Sequence, residues 1–365
     1  MTIEDVRTHR VRAPLHTPFV TALRRATSVE TLIVEIIDRD GRSGFGEAPQ
    51  VWQVTGASLA GSEACVTSML RPLLVGRDPD DLVALCRATA GAVAGNETAK
   101  AAVDVALHDL AARRLGVPLA RLLGGSTRRV PTDVTLTAAD EVGVADAARA
   151  RVAEGFTVLK VKVGADPATD LARIRDVRAA AGAGTRIRLD ANQGWTTKEA
   201  VRIIRAAQDA GADLELVEQP VNHRDIEGLR WVTDRVDVPI LADESVYGVR
   251  DLVTVIRNRA ADMVNVKLAK CGGLAPARTL LSLAEAHDMG TIVGTMMESA
   301  VGVGAAASLV AACGTTAVPD LDAAWWLASS PVVGGLTYEA STVVLPDAPG
   351  LGLTLPPSAN GAGPR

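Results

Sequence analysis

An α/β fold, a modified (β/α)8 barrel of the TIM type with an α+β domain at its N-terminus, is what this sequence predicts, and three observations carry the prediction. Short apolar runs end in a charged residue at a steady interval: Lys162, Asp190, Glu218, Asp243 and Lys267 follow one another by roughly 24 to 28 residues, the length of a strand, a helix and two short loops. Helix-like stretches such as Lys198 to Ala210 and Ala275 to Ala286 separate the runs. The chain of 365 residues exceeds a minimal barrel of about 250, which leaves room for a second domain.

In chain order, Val6 to Val11, Ser28 to Ile37 and Gly44 to Glu47 read as strands of an antiparallel meander, with Asp40-Gly41 as the turn between the last two. Ser58 to Leu74 and Asp80 to Thr89 read as helices, and Asn96 to Leu115 as a third, capped by Asn96 and stopped by Gly116. Leu15 to Thr27 and Gln50 to Ala57 carry turn residues and mixed polarity, as loops covering a site would. The expected domains are 1–125 for the cap, 126–330 for the barrel and 331–365 for a strand-like segment, Gly334 to Leu355, followed by a frayed tail from Pro356.

The barrel rhythm extends both ways from its centre. Val134-Thr135-Leu136 supplies a first strand, Ile292 to Thr295 a seventh with Glu298 just beyond, and Asp320-Leu321-Asp322 an eighth. Residues at the C-terminal ends of parallel barrel strands converge on one mouth, so these polar groups are candidates for a shared site. Lys160 and Lys162 stand two apart on one strand and therefore point to the same face.

Bulk properties exclude several classes. A formal net charge of −5 argues against a general nucleic-acid binder. The N-terminus lacks the apolar core of a secretory signal, and no uncharged run reaches the length of a membrane span, although Ala300 to Cys313 is a small-residue apolar stretch. Cys65, Cys86, Cys271 and Cys313 show no paired metal-ligand spacing, and the five histidines are dispersed. A cytoplasmic protein with reduced thiols is expected.

The chemistry follows from the residue types. Asp190, Glu218 and Asp243 end three consecutive strands, and three carboxylates brought together repel one another unless a cation sits among them. All-oxygen ligation favours Mg2+; any one of these acids alone could instead cap the helix that follows it. A divalent cation on a substrate carboxylate stabilises the charge that develops when the adjacent C–H bond is broken. Lys162 and Lys267, from opposite sides of the mouth, could then remove and return the proton. Lysine needs a lowered pKa to act as a base, and Lys160 beside Lys162, with the metal's own charge beside both, is expected to push in that direction.

Taken in order, Gly44-Phe45-Gly46-Glu47-Ala48-Pro49, Lys160-Val161-Lys162, Asp190-Ala191-Asn192-Gln193-Gly194-Trp195, Glu218-Gln219-Pro220, Ala242-Asp243-Glu244-Ser245 and Asn265 to Gly273 resemble the enolase superfamily, muconate-lactonising subgroup, and within it the dipeptide epimerases. The resemblance implies one Mg2+ held by Asp190, Glu218 and Asp243, with Lys162 and Lys267 as the two bases and Lys160 beside them. It also implies that the chain's end returns to complete the cap, that the protein is a homo-oligomer, and that the substrate is a small dipeptide. Asp320 and Asp322 resemble the Asp-x-Asp pair that holds the dipeptide's ammonium group. Arg24, with Arg25 as competitor, resembles the loop arginine that meets a glutamate side chain, so Ala-Glu is the implied substrate. Thr135 and Glu298 are expected to line the pocket, Asn192 either to orient the metal site or to make a turn, and Lys270 to serve as an ion-pair partner. Trp195, Trp325 and Trp326 are expected as core or wall, and Asp104, His108 and Asp109 as packing and surface.

Two sister activities use the same metal and lysines: cycloisomerisation of a muconate and o-succinylbenzoate synthesis. Their substrates carry no ammonium for Asp320 and Asp322 to meet. A sugar-acid dehydratase would show a histidine near the seventh strand, where Gly294-Thr295-Met296-Met297-Glu298 has none. A barrel kept only for metal or partner binding would be expected to have lost part of the lysine-carboxylate set, which is intact.

Overall fold

Strands Ile3–Val20, Arg25–Asp38 and Ser43–Pro49 form an antiparallel meander in that order. The computed structural model describes residues 2–22, 25–137 and 143–356. Side chains alternate across the sheet: Leu32, Val34 and Ile36 pack into the cap's own core, while Ile33 faces the larger core shared with the barrel. Gly44 and Gly46 let the third strand lie against the helix Glu97–Leu115, since a Cβ at Gly46 would come within 1.9 Å of the Ala102 carbonyl oxygen. The stretch Leu15 to Thr27 is more regular than a covering loop. The first two strands extend into it, with Phe19 paired to Ala26 and Val20 to Arg25 after a break in register beyond Pro14.

Two helix expectations need correction. Ser58 to Leu74 is interrupted: α-helical Leu59–Ala64 and Arg71–Leu74 flank a π-helical middle, Cys65–Leu70. Asn96 adopts a left-handed φ of 58° and gives no side-chain cap to the helix it precedes; its amide donates to the Ala94 carbonyl instead. Gly116 does end that helix in the left-handed conformation.

The barrel sheet holds seven parallel strands side by side: Val134–Leu136, Val158–Lys162, Arg186–Asp190, Leu214–Glu218, Ile240–Ala242, Met263–Lys267 and Gly290–Gly294. The expected eighth strand is reduced to a single bridge between Gly294 and Asp320. Pro319 has no N–H to donate, and the chain turns into the 3-10 helix Ala323–Trp326 straight after Asp322, so no ladder can grow. The seam beside the first strand is closed by individual contacts: Asp133 N–H to the Pro319 carbonyl (3.1 Å) and Leu321 N–H to Thr132 Oγ1 (3.0 Å). Arg188 spans it from inside the barrel, its Nη1 donating to Asp133 Oδ2 (3.0 Å) and to the Val318 carbonyl (2.7 Å).

Cap and barrel share an apolar core, in which Ile33, Phe45 and Val105 of the cap belong to the same cluster as Leu274 and Val301 of the barrel, and buried carboxylates add to the joint. Asp104, expected as packing or surface, is buried and accepts from Leu274 N–H at the start of the barrel helix Leu274–Glu285. Glu47 accepts from Ser299 N–H, Ser299 Oγ and Gly302 N–H at the start of helix Ala300–Cys313, placing a negative charge where the helix dipole favours it. That apolar stretch is a core helix, buried from Ala300 to Val310. The chain's end returns to the cap: Asp109 accepts from Phe45 N–H (2.8 Å) and from Leu351 N–H (2.6 Å), tying the meander to the final segment.

Candidate active site

Along Val158–Lys162 and its neighbours the register sets Thr135 beside Lys160, Lys160 beside Arg188, Lys162 beside Asp190 and Asp190 beside Glu218. Alternation then turns Thr135, Lys160, Lys162, Asp190 and Glu218 inward at the barrel's C-terminal mouth, while Arg188 also points inward but lies deeper, bonded to Asp133 and the Val318 carbonyl. All of them are buried. They line or underlie an open pocket of about 570 Å³, whose walls include Lys160, Lys162, Asp243, Lys267, Asp320 and Asp322.

Lys162 Nζ lies 2.5 Å from Asp190 Oδ2 and 3.1 Å from Asn192 Oδ1. Lys267 Nζ, from the sixth strand, lies 2.7 Å from Asp243 Oδ2. Lys270 donates to the same aspartate, 2.5 Å from Oδ1 and 2.5 Å from its carbonyl oxygen, which makes it the expected ion-pair partner. Glu218 Oε1 accepts from Asn265 Nδ2 at 2.8 Å. Asn192 makes the turn, at a left-handed φ of 41°, and its side chain bridges Lys162 and Glu244.

Burial first, and the Asp190 charge second, push the Glu218 carboxyl up to about 7. Glu244 is pushed to about 8 by burial and then Asp243, and its Oε2 is buried with no hydrogen-bond partner among the described residues. Lys162 holds Asp190, and although burial would raise the Asp243 carboxyl, Lys267 and Lys270 hold it well below the usual range. As oxygen donors, Asp190, Glu218 and Asp243 are of the kind a hard divalent cation takes. The ordinary sequence signal for Glu244, an acid next to another acid at a strand end, was present but pointed to its neighbour.

The expected lowering of lysine pKa is not what the protein's own groups produce. Burial works against the charge on Lys160, yet Asp320, Glu218 and Asp190 outweigh it and hold the ammonium well above its usual range. Lys267 is likewise raised, burial being outweighed by Asp243 and Glu218. The physical reason is the excess of carboxylates, and a cation shared by Asp190, Glu218 and Asp243 is what would remove it.

Asp320 and Asp322 both reach the pocket but differ in what holds them. Asp320 pairs directly with Lys160, and although burial would raise its carboxyl, Lys160 and Lys267 keep it low. Asp322 Oδ2 accepts from Thr135 N–H (2.7 Å) and from Trp326 Nε1 (3.0 Å). Burial and then Asp320 raise it. Thr135 lines the pocket. Glu298 lies behind the wall, bonded to Met296 N–H (2.9 Å) and pushed to about 8 by burial and then by Glu47. Arg24 falls outside the described residues. Phe19, Val51, Val54, Met296 and Met297 form an apolar side of the pocket that sequence reasoning did not single out; such residues carry no pattern distinct from ordinary core.

Comparison with known proteins agrees in both halves of the chain. Residues 3–124 match the mandelate racemase / muconate lactonizing enzyme N-terminal domain and residues 143–359 the enolase C-terminal domain-like family. The chain is 41% identical to an L-Ala-D/L-Glu epimerase of Bacillus subtilis over 97% of its own length and 97% of the relative's. A solved substrate-liganded complex of the L-Ala-D/L-Glu epimerase from Bacillus subtilis superposes with a TM-score of 0.94 at 41% identity, covering 97% of this chain and 99% of that one. The dipeptide epimerase from Enterococcus faecalis complexed with Mg and L-Leu-L-Tyr superposes at 0.92 with 37% identity, covering 97% and 100%.

Proposed function

The chain belongs to the mandelate racemase / muconate lactonizing enzyme family of the enolase superfamily, and from that premise we propose that it is an Mg2+-dependent dipeptide epimerase. It inverts the α-carbon of the dipeptide's C-terminal residue. The observation that carries the reading is the arrangement of Lys162 and Lys267 on separate strands of one pocket, with Asp320 and Asp322 lining the same space. Two bases on two faces suit a reaction that takes a proton from one side and returns it to the other. An acidic pair beside them suits a substrate with a free ammonium group, which a muconate or succinylbenzoate lacks.

Asp190, Glu218 and Asp243 would hold the Mg2+, which would supply the charge that acidifies the α-C–H of a bound carboxylate. Lys162 and Lys267 then exchange that proton, and Lys160, kept cationic by Asp320, faces the charge that develops. The relative with 41% identity supports Ala-Glu as first substrate, with Arg24 as the partner of the glutamate side chain. A second reading, an apolar C-terminal residue, is favoured by the wall of Phe19, Val51, Val54, Met296 and Met297. A homo-oligomer in the cytoplasm completes the reading, and sedimentation tests the assembly.

A dipeptide library incubated in deuterated water and read by mass decides between these. Deuterium uptake with inversion for Ala-Glu is expected, and its loss on N-acetylation would follow from removing the ammonium. Full turnover of acetylated dipeptides, or uptake by none, would overturn the proposal.

A further inference from the structure

The turn between the third strand and the first cap helix places Val51 and Val54 in the pocket wall, packed with Met296 and Ala269 of the barrel. The turn is closed mainly on itself. Val51 bridges Ala57, and the amides of Val54 and Thr55 both donate to the Val51 carbonyl. Gln50 fastens its root to the cap, through Glu30 and the amide of Leu59. Among the described residues, one hydrogen bond runs from the barrel to this turn: the Tyr247 hydroxyl donates to the Val54 carbonyl oxygen.

Tyr247 is firmly placed to do this. Its backbone N–H donates to Asp251 Oδ2 (2.9 Å) at the start of helix Val249–Asn258. Its ring centroid lies 5.8 Å from the Lys270 ammonium, within reach of a cation–π attraction. Lys270 in turn grips the carboxylate and carbonyl of Asp243. A continuous line of contacts therefore runs from the pocket floor at Asp243, through Lys270 and Tyr247, to the backbone of the turn.

We infer that Tyr247 is a positioning residue, the latch that seats the 51–57 turn on the pocket so that Val51 and Val54 meet bound substrate. The inference rests on the pocket being the substrate site proposed above. A lone backbone hydrogen bond at the rim of a pocket can be broken without unfolding the elements behind it, so the latch controls how often the wall is in place rather than whether the fold exists.

Tyr247→Phe keeps the ring and removes the donor. In the full-length protein, hydrogen exchange of the 51–57 amides should accelerate about fivefold while protection in the barrel strands stays unchanged. KM for the reactive dipeptide should rise about fivefold, with kcat within a factor of two, since the variant touches neither base nor acid. Unchanged exchange in the turn together with unchanged KM would overturn the latch, and so would a uniform loss of protection across the barrel. Wild-type protein inactive on every dipeptide would overturn the epimerase proposal instead, leaving the exchange comparison to decide the latch.

Discussion

Lys162 and Lys267 make the sharpest residue-scale prediction, because each is paired with a different carboxylate on a different strand. Lys162→Ala or Lys267→Ala should lower epimerisation by about 10³-fold while leaving α-proton exchange from one enantiomer, which nuclear magnetic resonance in deuterated water would show. Exchange from both enantiomers in either variant would contradict the two-face assignment. At the same scale, Asp322→Ala strands two buried donors, Thr135 N–H and Trp326 Nε1. It should cost about 1–3 kcal/mol of stability, seen in urea melts, whereas Asp322→Asn retains an acceptor and should cost less. The lysines and acids of the mouth were legible in the sequence because strand periodicity and the motif order place them. Their pairing was not. That Asp320 takes Lys160 and leaves Asp322 to the Thr135 amide and the Trp326 indole depends on the seam's geometry, which no local pattern encodes.

At the scale of elements, the seam is where sequence and structure part. Asp320-Leu321-Asp322 has the spacing of an eighth strand, but spacing counts residues and cannot see that Pro319 and the following helical turn deny the run a ladder. Asn96 misled for a related reason: its residue type suits an N-cap, while its backbone takes the left-handed conformation. The loop Leu15 to Thr27 was read from turn residues, yet cross-strand pairing resumes within it, Phe19 with Ala26 and Val20 with Arg25, after a break in register beyond Pro14. The seven central strands were legible because each combines a buried apolar run with a polar terminus. Arg188, which substitutes for the missing ladder, gives this scale its prediction. Arg188→Met removes the buried partner of Asp133 and a bond to Glu215 as well, and should cost about 3–5 kcal/mol in chemical denaturation. Pairing it with Asp133→Asn should restore part of the loss, and an equal loss in the double variant would refute the clamp.

The whole molecule is held by charge at its centre and at its joint. Mg2+ should raise the melting temperature, because binding at about 100 times Kd adds roughly 2.7 kcal/mol to the folded state. Asp190→Asn and Glu218→Gln should each erase that gain and the activity, and calorimetry with and without a chelator checks both. At the joint, burial and then the Glu47 charge push Glu298 from 4.5 to about 8. The native protein therefore keeps a proton that the unfolded chain releases near its ordinary pKa. That contribution is fully present at low pH and is lost as pH rises toward 8. Glu298→Gln removes the dependence, so its melting temperature should pull ahead of wild type progressively between pH 5 and 8 and then hold a constant lead. A lead that shrinks with rising pH would show the sign to be wrong. That a cap accompanies the barrel was legible from chain length and the change of pattern along the chain. The means of attachment was not, since Asp104, Asp109 and Glu47 look in the sequence like ordinary helix and strand acids.

Asp322 is at once a wall of the pocket and a piece of the barrel's closure, its carboxylate standing where a neighbouring strand would offer a carbonyl. A descendant of this chain that abandoned amine-bearing substrates could shed Asp320 at the expense of rehousing Lys160, but shedding Asp322 would open the seam. Evolutionary or laboratory drift toward other substrates should therefore pass first through position 320, or through replacements at 322 that still present an oxygen to Thr135, and a selection for new activity in a randomised library at the two positions would reveal that asymmetry in which codons survive.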